Sequence, residues 1–224
     1  MAAVQERADV NKTGEGSRIR WFLRISVIVL IIAATLILGW RKGHQRGFYG
    51  HRIWPSKAAC EFELTDHNGK PLRLSDLRGK VVLMCFGFTH CPNICPTTLA
   101  SLNNVHQLLP ADDRKKVQVV FISVDPKRDT PAQLKQYVPF FNSTFLGATT
   151  SEEQVKKIAR DYGAFFEYEP QLTNDTKDNY TVTHSAYVYL IDSAGQFSVL
   201  YDYEQLSDAA RIAEDIEKIL HQDS

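Results

Sequence analysis

The chain has 224 residues, and its 26 lysines and arginines are balanced by 26 aspartates and glutamates, so the formal net charge is zero. A protein without a basic excess lacks the electrostatic footprint of a nucleic-acid binder, and we expect no nucleic-acid partner. The four cysteines are too few for a disulfide scaffold of this size. They are compatible with one working pair and two cysteines without a chemical role.

The first 40 residues differ in composition from the rest of the chain. Residues 1–20 are polar and charged and predict a disordered N-terminal tail. Residues 21–40, WFLRISVIVLIIAATLILGW, are long and apolar enough to predict a transmembrane helix with Trp21 and Trp40 at the two interfaces. A cleaved signal peptide is the alternative, but the apolar stretch is long for one and no clear cleavage site follows.

The distribution of charge hardly distinguishes the two orientations of this anchor, because basic residues flank both of its ends. A short tail before a single anchor usually stays inside, which places the C-terminal domain across the membrane. Glu6, Asp9 and Glu15 are unusual in a mitochondrial transit peptide. We therefore expect a single-pass protein of a bacterial inner membrane with a periplasmic domain. The alternative is the mitochondrial inner membrane, with the domain facing the intermembrane space.

Residues 41–59 are predicted to be a basic tether, and residues 60–224 a single folded domain. Apolar and polar residues alternate on either side of His67–Lys70, with Asn-Gly at the turn, which predicts an N-terminal β-hairpin. The continuous apolar runs Val81–Phe88 and Val117–Val124 predict two buried strands. The polar segment Glu167–Tyr180 is predicted to be a loop.

Shorter apolar runs and capping signals predict the remaining strands and helices. The strands are Phe145–Ala148 and a hairpin formed by His184–Asp192 and Gln196–Tyr203; the helices are Cys95–Leu109, Thr130–Tyr137, Ser151–Tyr162 and Ser207–Leu220. This order predicts an α/β fold with a thioredoxin-like central mixed sheet, flanking helices and an added N-terminal β-hairpin.

The stretch FGFTHCPNICPTTL, residues 86–99, carries the chemistry that the rest of the domain would support. Cys91 and Cys95 follow a buried strand at or near a helix N-terminus, where backbone N–H groups and the helix dipole favour thiolate. Residues four apart share a helix face, so both sulfurs can point at one spot. The spacing is C-x-x-x-C instead of the C-x-x-C of disulfide oxidoreductases, and the pair is either a redox couple or a soft-metal clamp.

Two thiolates alone underfill a metal site, and His184 is the best candidate for a third ligand. It lies at the start of an apolar strand after a polar segment, although a surface histidine capping a strand would look the same. His90 is a rival, but it adjoins Cys91 and its side chain should diverge from that of the cysteine.

The remaining cysteines and one aspartate are assigned lesser roles. Cys85 lies mid-strand and is expected to be a buried, inert thiol, and Cys60 has no evident partner. Asp125 follows the second buried strand. It either forms an Asx turn before Pro126 or contacts the candidate ligands without binding the metal itself. The other histidines are expected to be solvated; they are His44, His51, His67, His106 and His221.

Three motifs in order, FGFTHCPNICPTTL, FISVDPKRDTP and YTVTHSAYVYLID, resemble the Sco/SenC family of copper chaperones for cytochrome c oxidase assembly. The resemblance covers about residues 60–205. It implies a thioredoxin-like domain on a membrane anchor that binds copper through Cys91, Cys95 and His184. Members often have an acidic residue just before the distal histidine, where this chain has Thr183.

The expected function is therefore that of a metal carrier and not of an enzyme. The protein would bind Cu(I), with Cu(II) left open, and deliver it to the dinuclear copper site of the copper-bearing subunit of cytochrome c oxidase. Another copper chaperone could be the donor. The alternative is a thiol–disulfide oxidoreductase in which Cys91 and Cys95 are the redox pair that keeps the oxidase cysteines reduced. A thiol peroxidase would need an activated lone thiolate instead of a pair.

Overall fold

A computed structural model describes residues 21, 24–36, 47–170 and 180–222. By their contacts the residues fall into two units, 1–47 and 48–224. In the first unit, residues 24–36 are helical (α1), and their side chains are exposed. Within the ranges just given, no helix is both long enough and apolar enough to cross a membrane. The predicted tail at 1–20 and residues 22, 23 and 37–40 of the predicted span lie outside the described residues.

The second unit alternates strands and helices. Its strands are β1 (His51–Ala58), β2 (Glu63–Asp66), β3 (Pro71–Arg73), β4 (Val81–Gly87), β5 (Val117–Ser123), β6 (Leu146–Thr149), β7 (Phe166–Pro170), β8 (Tyr180–His184), β9 (Val188–Ile191) and β10 (Gln196–Tyr201). Its α-helices are α2 (Ile94–Leu108), α3 (Ala111–Arg114), α4 (Pro131–Phe141), α5 (Glu152–Asp161) and α6 (Ala209–Gln222).

Eight of these strands form one mixed sheet in the order β1-β10-β9-β4-β5-β6-β2-β3. Strands β4, β5 and β6 run parallel, and the other neighbouring pairs are antiparallel. All residues of β4, which lies between β5 and β9 in the sheet, are buried. A strand covered on both faces needs no polar side, which explains its continuous apolar sequence. The predicted mixed α/β architecture with one central sheet is confirmed.

Helix positions follow the capping signals. The side chain of Thr130 accepts a hydrogen bond from the N–H of Gln133 before α4, and Ser151 accepts one from the N–H of Gln154 before α5. Such N-caps satisfy backbone donors that the first helical turn leaves unpaired. Helix α4 continues past its predicted end at Tyr137 to Phe141, although Pro139 lies inside it.

The predicted tether at 41–59 is wrong at its C-terminal end, because residues 51–58 form strand β1 on the edge of the sheet. The backbone N–H groups of Tyr49 and Gly50 also donate to the buried carboxylate of Asp215 in α6, at 2.8 and 2.9 Å. The sequence HRIWPSKA lacks the alternation of a half-buried strand and contains a proline. Proline is tolerated on an edge strand, so pairing with β10 can form without a clear signal in the sequence.

The segment before the last hairpin also differs from the prediction. The strand expected over His184–Asp192 is divided: His184 ends β8, and β9 begins only at Val188. Both ends of the predicted loop Glu167–Tyr180 belong instead to an antiparallel two-stranded sheet separate from the main sheet, formed by β7 and β8. Residues 171–179 of that loop lie outside the described residues. A hairpin exposed on much of its surface keeps polar residues, so its composition resembles that of a loop.

Candidate metal centre

Cys91 and Cys95 lie on either side of the first residue of α2, directly after the central strand β4. Helix α2 begins at Ile94, so Cys95 is its second residue and Cys91 lies in the preceding loop. The N–H of Cys91 donates to the carbonyl of Phe88 at 3.2 Å, and the N–H of Cys95 donates to Sγ of Cys91 at 3.5 Å. The two thiols therefore approach through a turn ahead of the helix, and not because both lie on one helix face.

His184 reaches the thiol pair from the end of β8. Its Nδ1 lies 3.0 Å from the carbonyl oxygen of Ser185. Because a carbonyl can only accept, Nδ1 carries the proton and Nε2 presents a lone pair. This Nε2 lies 3.3 Å from Sγ of Cys95. The ring of Phe88 packs edge-on to the imidazole at 5.8 Å between centroids, which fixes its orientation further.

The ligand atoms of Cys91, Cys95 and His184 all lie within 4.8 Å of one another. Both thiols are free. Two soft sulfurs and one imidazole nitrogen at this spacing can enclose a single soft ion, whereas a structural zinc site would take four protein ligands. Cys91 and Cys95 are four positions apart in sequence, and His184 follows Cys95 by 89 positions, so the tertiary structure brings the histidine to the thiol pair.

The two thiols differ in their electrostatics. A hydrogen bond from the Cys95 thiol lowers the pKa of Cys91 well below its usual range. Donation to Cys91 and burial together raise the pKa of Cys95. In the metal-free site Cys91 is therefore the thiolate and Cys95 keeps its proton. A metal ion that binds both sulfurs must displace that proton.

The site is closed on one side and open on the other. A Cβ at Gly87 would lie 2.7 Å from Sγ of Cys95 and 2.6 Å from the ring of Phe121, so only glycine leaves room for this sulfur. Cys95 itself is buried. Cys91 and His184 instead line a depression of about 300 Å³ that opens to solvent. A bound ion would therefore rest on a buried sulfur and be exchanged past the two outer ligands.

The other candidate ligands are not part of this group. His90 is half-exposed and lies 3.9 Å from the carboxylate of Asp129. Cys85 is buried in β4, and burial raises the pKa of its thiol to about 12, as expected for an inert cysteine. Cys60 precedes β2, and its Sγ lies 3.7 Å from the carbonyl oxygen of Asp161, the last residue of α5.

Two of the histidines expected to be solvated are buried instead. Nδ1 of His67 accepts a hydrogen bond from the N–H of Gly147 at 3.0 Å, and His106 packs edge-on against Phe145. His44 lies outside the described residues. Polar side chains with one internal hydrogen-bond partner are compatible with burial, so a histidine in a turn or on a helix need not face water.

Asp125 is fully buried and stands behind the ligands. Its carboxylate accepts a hydrogen bond from the hydroxyl of Tyr180 at 2.6 Å and pairs with the guanidinium of Arg128. Tyr180 begins the strand that ends in His184. The carboxylate therefore contacts the ligand-bearing strand, which the Asx-turn alternative would not require.

Thr183, where an acidic residue was expected from the resemblance, donates a hydrogen bond from its hydroxyl to the carboxylate of Glu169. Glu169 belongs to β7, the neighbouring strand. An acidic side chain therefore lies next to position 183, contributed by a different strand.

With this geometry established, comparison with known proteins decides the family. Residues 53–221 match the family model of SCO1/SenC. The chain belongs to the SCO1/SenC family. The match begins inside β1, in agreement with that strand being part of the fold.

Relatives of this SCO1/SenC chain occur in eukaryotes and bacteria. It is 41% identical over 160 residues to the mitochondrial protein SCO2 of Saccharomyces cerevisiae, covering 70% of this chain and 52% of the yeast protein. It is 34% identical over 187 residues to an SCO2-like protein of Rickettsia felis, covering 80% of this chain and 87% of the relative. The chain thus spans about half of the yeast relative and most of the bacterial one.

Solved Sco structures share this fold. Apo Sco1 from Thermus thermophilus has a TM-score of 0.69 and 36% identity, covering 77% of this chain and 97% of that protein. ScoI of Bradyrhizobium japonicum with copper bound has a TM-score of 0.63 and 35% identity, covering 73% and 99%. The resemblance read from the three motifs is confirmed at the level of family and fold.

Residues that sequence reasoning missed surround the three candidate ligands of this SCO1/SenC chain. Gly87 leaves space for the sulfur of Cys95, while Arg128 and Tyr180 contact Asp125. Arg128 lies in the quoted motif FISVDPKRDTP, where only Asp125 drew attention. The order of charges in that motif was a usable signal, since a buried aspartate needs a cation or donors nearby.

Proposed function

We propose that this chain binds one Cu(I) ion through Cys91, Cys95 and His184 and delivers it to the copper-bearing subunit of cytochrome c oxidase during assembly. The observation that carries the proposal is the cluster of three ligand atoms within 4.8 Å of one another. Thiolate and imidazole ligands in a three-coordinate arrangement suit Cu(I). Relatives of the same fold with 31–35% identity have been solved with copper bound, which supports the choice of metal.

The protonation of the site supports a defined order of loading. The Cys91 thiolate lines the open depression and would meet an incoming ion first. Cys95 would then give up its proton and add the buried sulfur, and Nε2 of His184 would complete the coordination with its lone pair. Binding needs both thiols reduced, so oxidation to a Cys91–Cys95 disulfide would release the ion.

A cysteine substitution tests the metal site. Cys91→Ser in the full chain should abolish tight Cu(I) binding, because one thiolate and one imidazole make a poor soft-metal site. The measurement is competition with a chromophoric Cu(I) chelator under reducing conditions. Cys60→Ser is the matched control: it also removes a half-buried thiol but should leave about one copper per chain. Unchanged stoichiometry and affinity in Cys91→Ser would overturn the assignment.

Family membership supports the proposed oxidase partner, because BsSco, a solved protein of the same fold, is described as a member of the Sco family of cytochrome c oxidase assembly proteins. The copper donor in this scheme is another copper chaperone. A second candidate function is thiol–disulfide exchange with the oxidase cysteines, favoured by the unequal protonation of the two thiols. In that reaction the Cys91 thiolate attacks a partner disulfide and Cys95 resolves the mixed disulfide. The partner leaves with two thiols and this chain with a Cys91–Cys95 disulfide.

His184 separates the two candidates, because dithiol exchange does not require an imidazole. His184→Ala should weaken Cu(I) binding about tenfold or more, equivalent to about 1.4 kcal/mol. The same variant should keep the reduction potential of the cysteine pair within about 30 mV. His90→Ala is the control, since its half-exposed ring lies outside the ligand group.

The outcome in cells decides between carrier and reductase. If copper delivery is the function, oxidase copper content should fall in cells that carry only the His184→Ala protein. Normal oxidase copper content with a protein that cannot hold Cu(I) would refute the chaperone proposal and favour the reductase.

We also propose that residues 21–40 anchor the protein in a bacterial inner membrane with residues 41–224 in the periplasm. The support is the apolar sequence of that segment and the exposed apolar side chains of α1, such as Leu30 and Leu36. The full chain should then stay with membranes through alkaline carbonate washing, and protease added to spheroplasts should digest the C-terminal domain. Protection of that domain would contradict the orientation.

A further inference from the structure

The β7–β8 hairpin that carries His184 makes its hydrogen bonds with the rest of the domain largely through one loop. This β5–α4 loop comprises residues 124–130, between Ser123 and Pro131. The hydroxyl of Tyr168 in β7 donates to the carbonyl of Val124 at 2.8 Å. The hydroxyl of Tyr180 in β8 donates to the carboxylate of Asp125 at 2.6 Å. Since the hairpin forms its own sheet, these contacts replace the ladder of hydrogen bonds that holds the other strands.

Arg128 of the same loop makes the most extensive contact with β8. Its Nε donates to Asp125 and its Nη1 donates to the carbonyl of Tyr180 at 2.9 Å. The guanidinium carbon also lies 3.7 Å from the centroid of the Tyr180 ring and 5.8 Å from that of Phe88, the residue packed against His184. A planar fork that stacks on an aromatic ring while donating in two directions is a geometry that lysine cannot reproduce.

Asp129, the neighbour of Arg128, holds the other ligand-bearing segment. Its carboxylate accepts hydrogen bonds from the N–H of Thr89 at 3.0 Å, from the Thr89 hydroxyl at 2.6 Å and from the Ser123 hydroxyl at 2.6 Å. Asp129 is fully buried, so these bonds are shielded from water. Thr89 lies two residues before Cys91, in the loop between β4 and α2.

We propose that the β5–α4 loop sets the geometry of the metal centre from behind, with Arg128 positioning His184 and Asp129 positioning Cys91. Neither residue touches the three ligand atoms; each acts through the segment that it holds. The inference rests on the proposed copper function, because it concerns the same three ligands. According to this proposal, the distance between the imidazole and the thiol pair is set by one short loop, which contacts both the segment before Cys91 and strand β8.

The proposal predicts opposite behaviour for the two residues in double-mutant cycles. Arg128→Lys should weaken Cu(I) binding of the full chain about three- to tenfold, the range expected from losing one or two buried hydrogen bonds. In a His184→Ala background the same change should have no further effect, because the ligand that Arg128 positions is gone. Asp129→Asn should weaken binding by a similar factor in both backgrounds, because Cys91 remains a ligand in each.

Two further variants keep the test decisive if Arg128→Lys fails to fold. Tyr180→Phe removes only the hydroxyl that contacts Asp125 and should show the same dependence on His184. Tyr162→Phe is the matched control, since it also removes one tyrosine hydroxyl that donates a hydrogen bond, in this case to the backbone carbonyl of Cys60 at 2.7 Å. It should leave Cu(I) affinity unchanged.

Each outcome of the cycle either supports or overturns the positioning role. An equal loss from Arg128→Lys, or from Tyr180→Phe, with and without His184 would mean a general effect on the fold and would refute it. Failure of the unsubstituted chain to bind Cu(I) would refute the copper function itself, and is measured separately before any variant.

Discussion

The two halves of the candidate metal centre are built in different ways. The thiol pair follows β4, a fully buried strand at the middle of the main sheet, and Cys95 is the second residue of a helix whose apolar face is buried on the core. His184 ends a two-stranded sheet that has no backbone ladder to the main sheet. One half therefore belongs to the central sheet, whereas the other is attached to the domain through side-chain contacts and one buried valine, Val182. The difference indicates that the thiols form the fixed part of the site and the imidazole its adjustable part.

Amide hydrogen exchange tests this contrast with the largest expected effect. Amides of β8 should exchange about a hundredfold faster than those of β4, because opening the hairpin exposes little core whereas freeing β4 requires global unfolding. The measurement is native-state exchange followed by NMR or mass spectrometry. Equal protection of both strands would contradict the contrast, and addition of Cu(I) should slow exchange in β8 alone by tying down His184.

A matched pair of core substitutions gives the next largest effect. Val105 in α2 and Val182 in β8 are both buried, so Val→Ala removes the same two methyl groups at each site. Val105→Ala should lower the free energy of unfolding by about 2 kcal/mol, from lost burial and the cavity left behind. Val182→Ala should change the global value by less than about 0.5 kcal/mol, because the hairpin can open on its own. Denaturant titration of both variants measures this, and similar losses would make the hairpin part of the cooperative core.

The smallest effect concerns a hairpin that does belong to the main sheet. In the β2–β3 hairpin, burial lowers the pKa of His67 below its ordinary value of 6.5, and its Nδ1 must stay unprotonated to accept from Gly147. A histidine whose pKa is depressed in the folded state stabilises the protein above the unfolded pKa, and this contribution is lost as pH falls through the folded value. The free energy of unfolding should therefore fall by about 1 kcal/mol from pH 7.5 to pH 5, relative to His67→Gln. The same pH-induced loss in the variant would show that His67 is not responsible.

The sequence determined the parts of this protein that depend on local periodicity. Buried strands such as β4 and β5 have continuous apolar runs, and the N-cap residues Thr130 and Ser151 mark the starts of α4 and α5. The thiol pair was predictable for the same reason, because four residues separate its members and the chain itself keeps them close. Family membership, too, was readable from three motifs, each of which is contiguous in the chain.

Only the tertiary structure decided which distant groups meet. β1 contains a proline and gains its pairing from β10, and the β7–β8 hairpin has the composition of a loop because little of it is buried. His184 lies next to Cys95 although 89 positions separate them, and Asp125 contacts both Arg128 and Tyr180, the latter 55 residues away. A sequence specifies the chemical type of each side chain, but contacts between residues so far apart in sequence form only when the whole core folds. The three candidate ligands could therefore be named from the motifs, while the contacts of the β5–α4 loop with the segments that carry them became visible only in the fold.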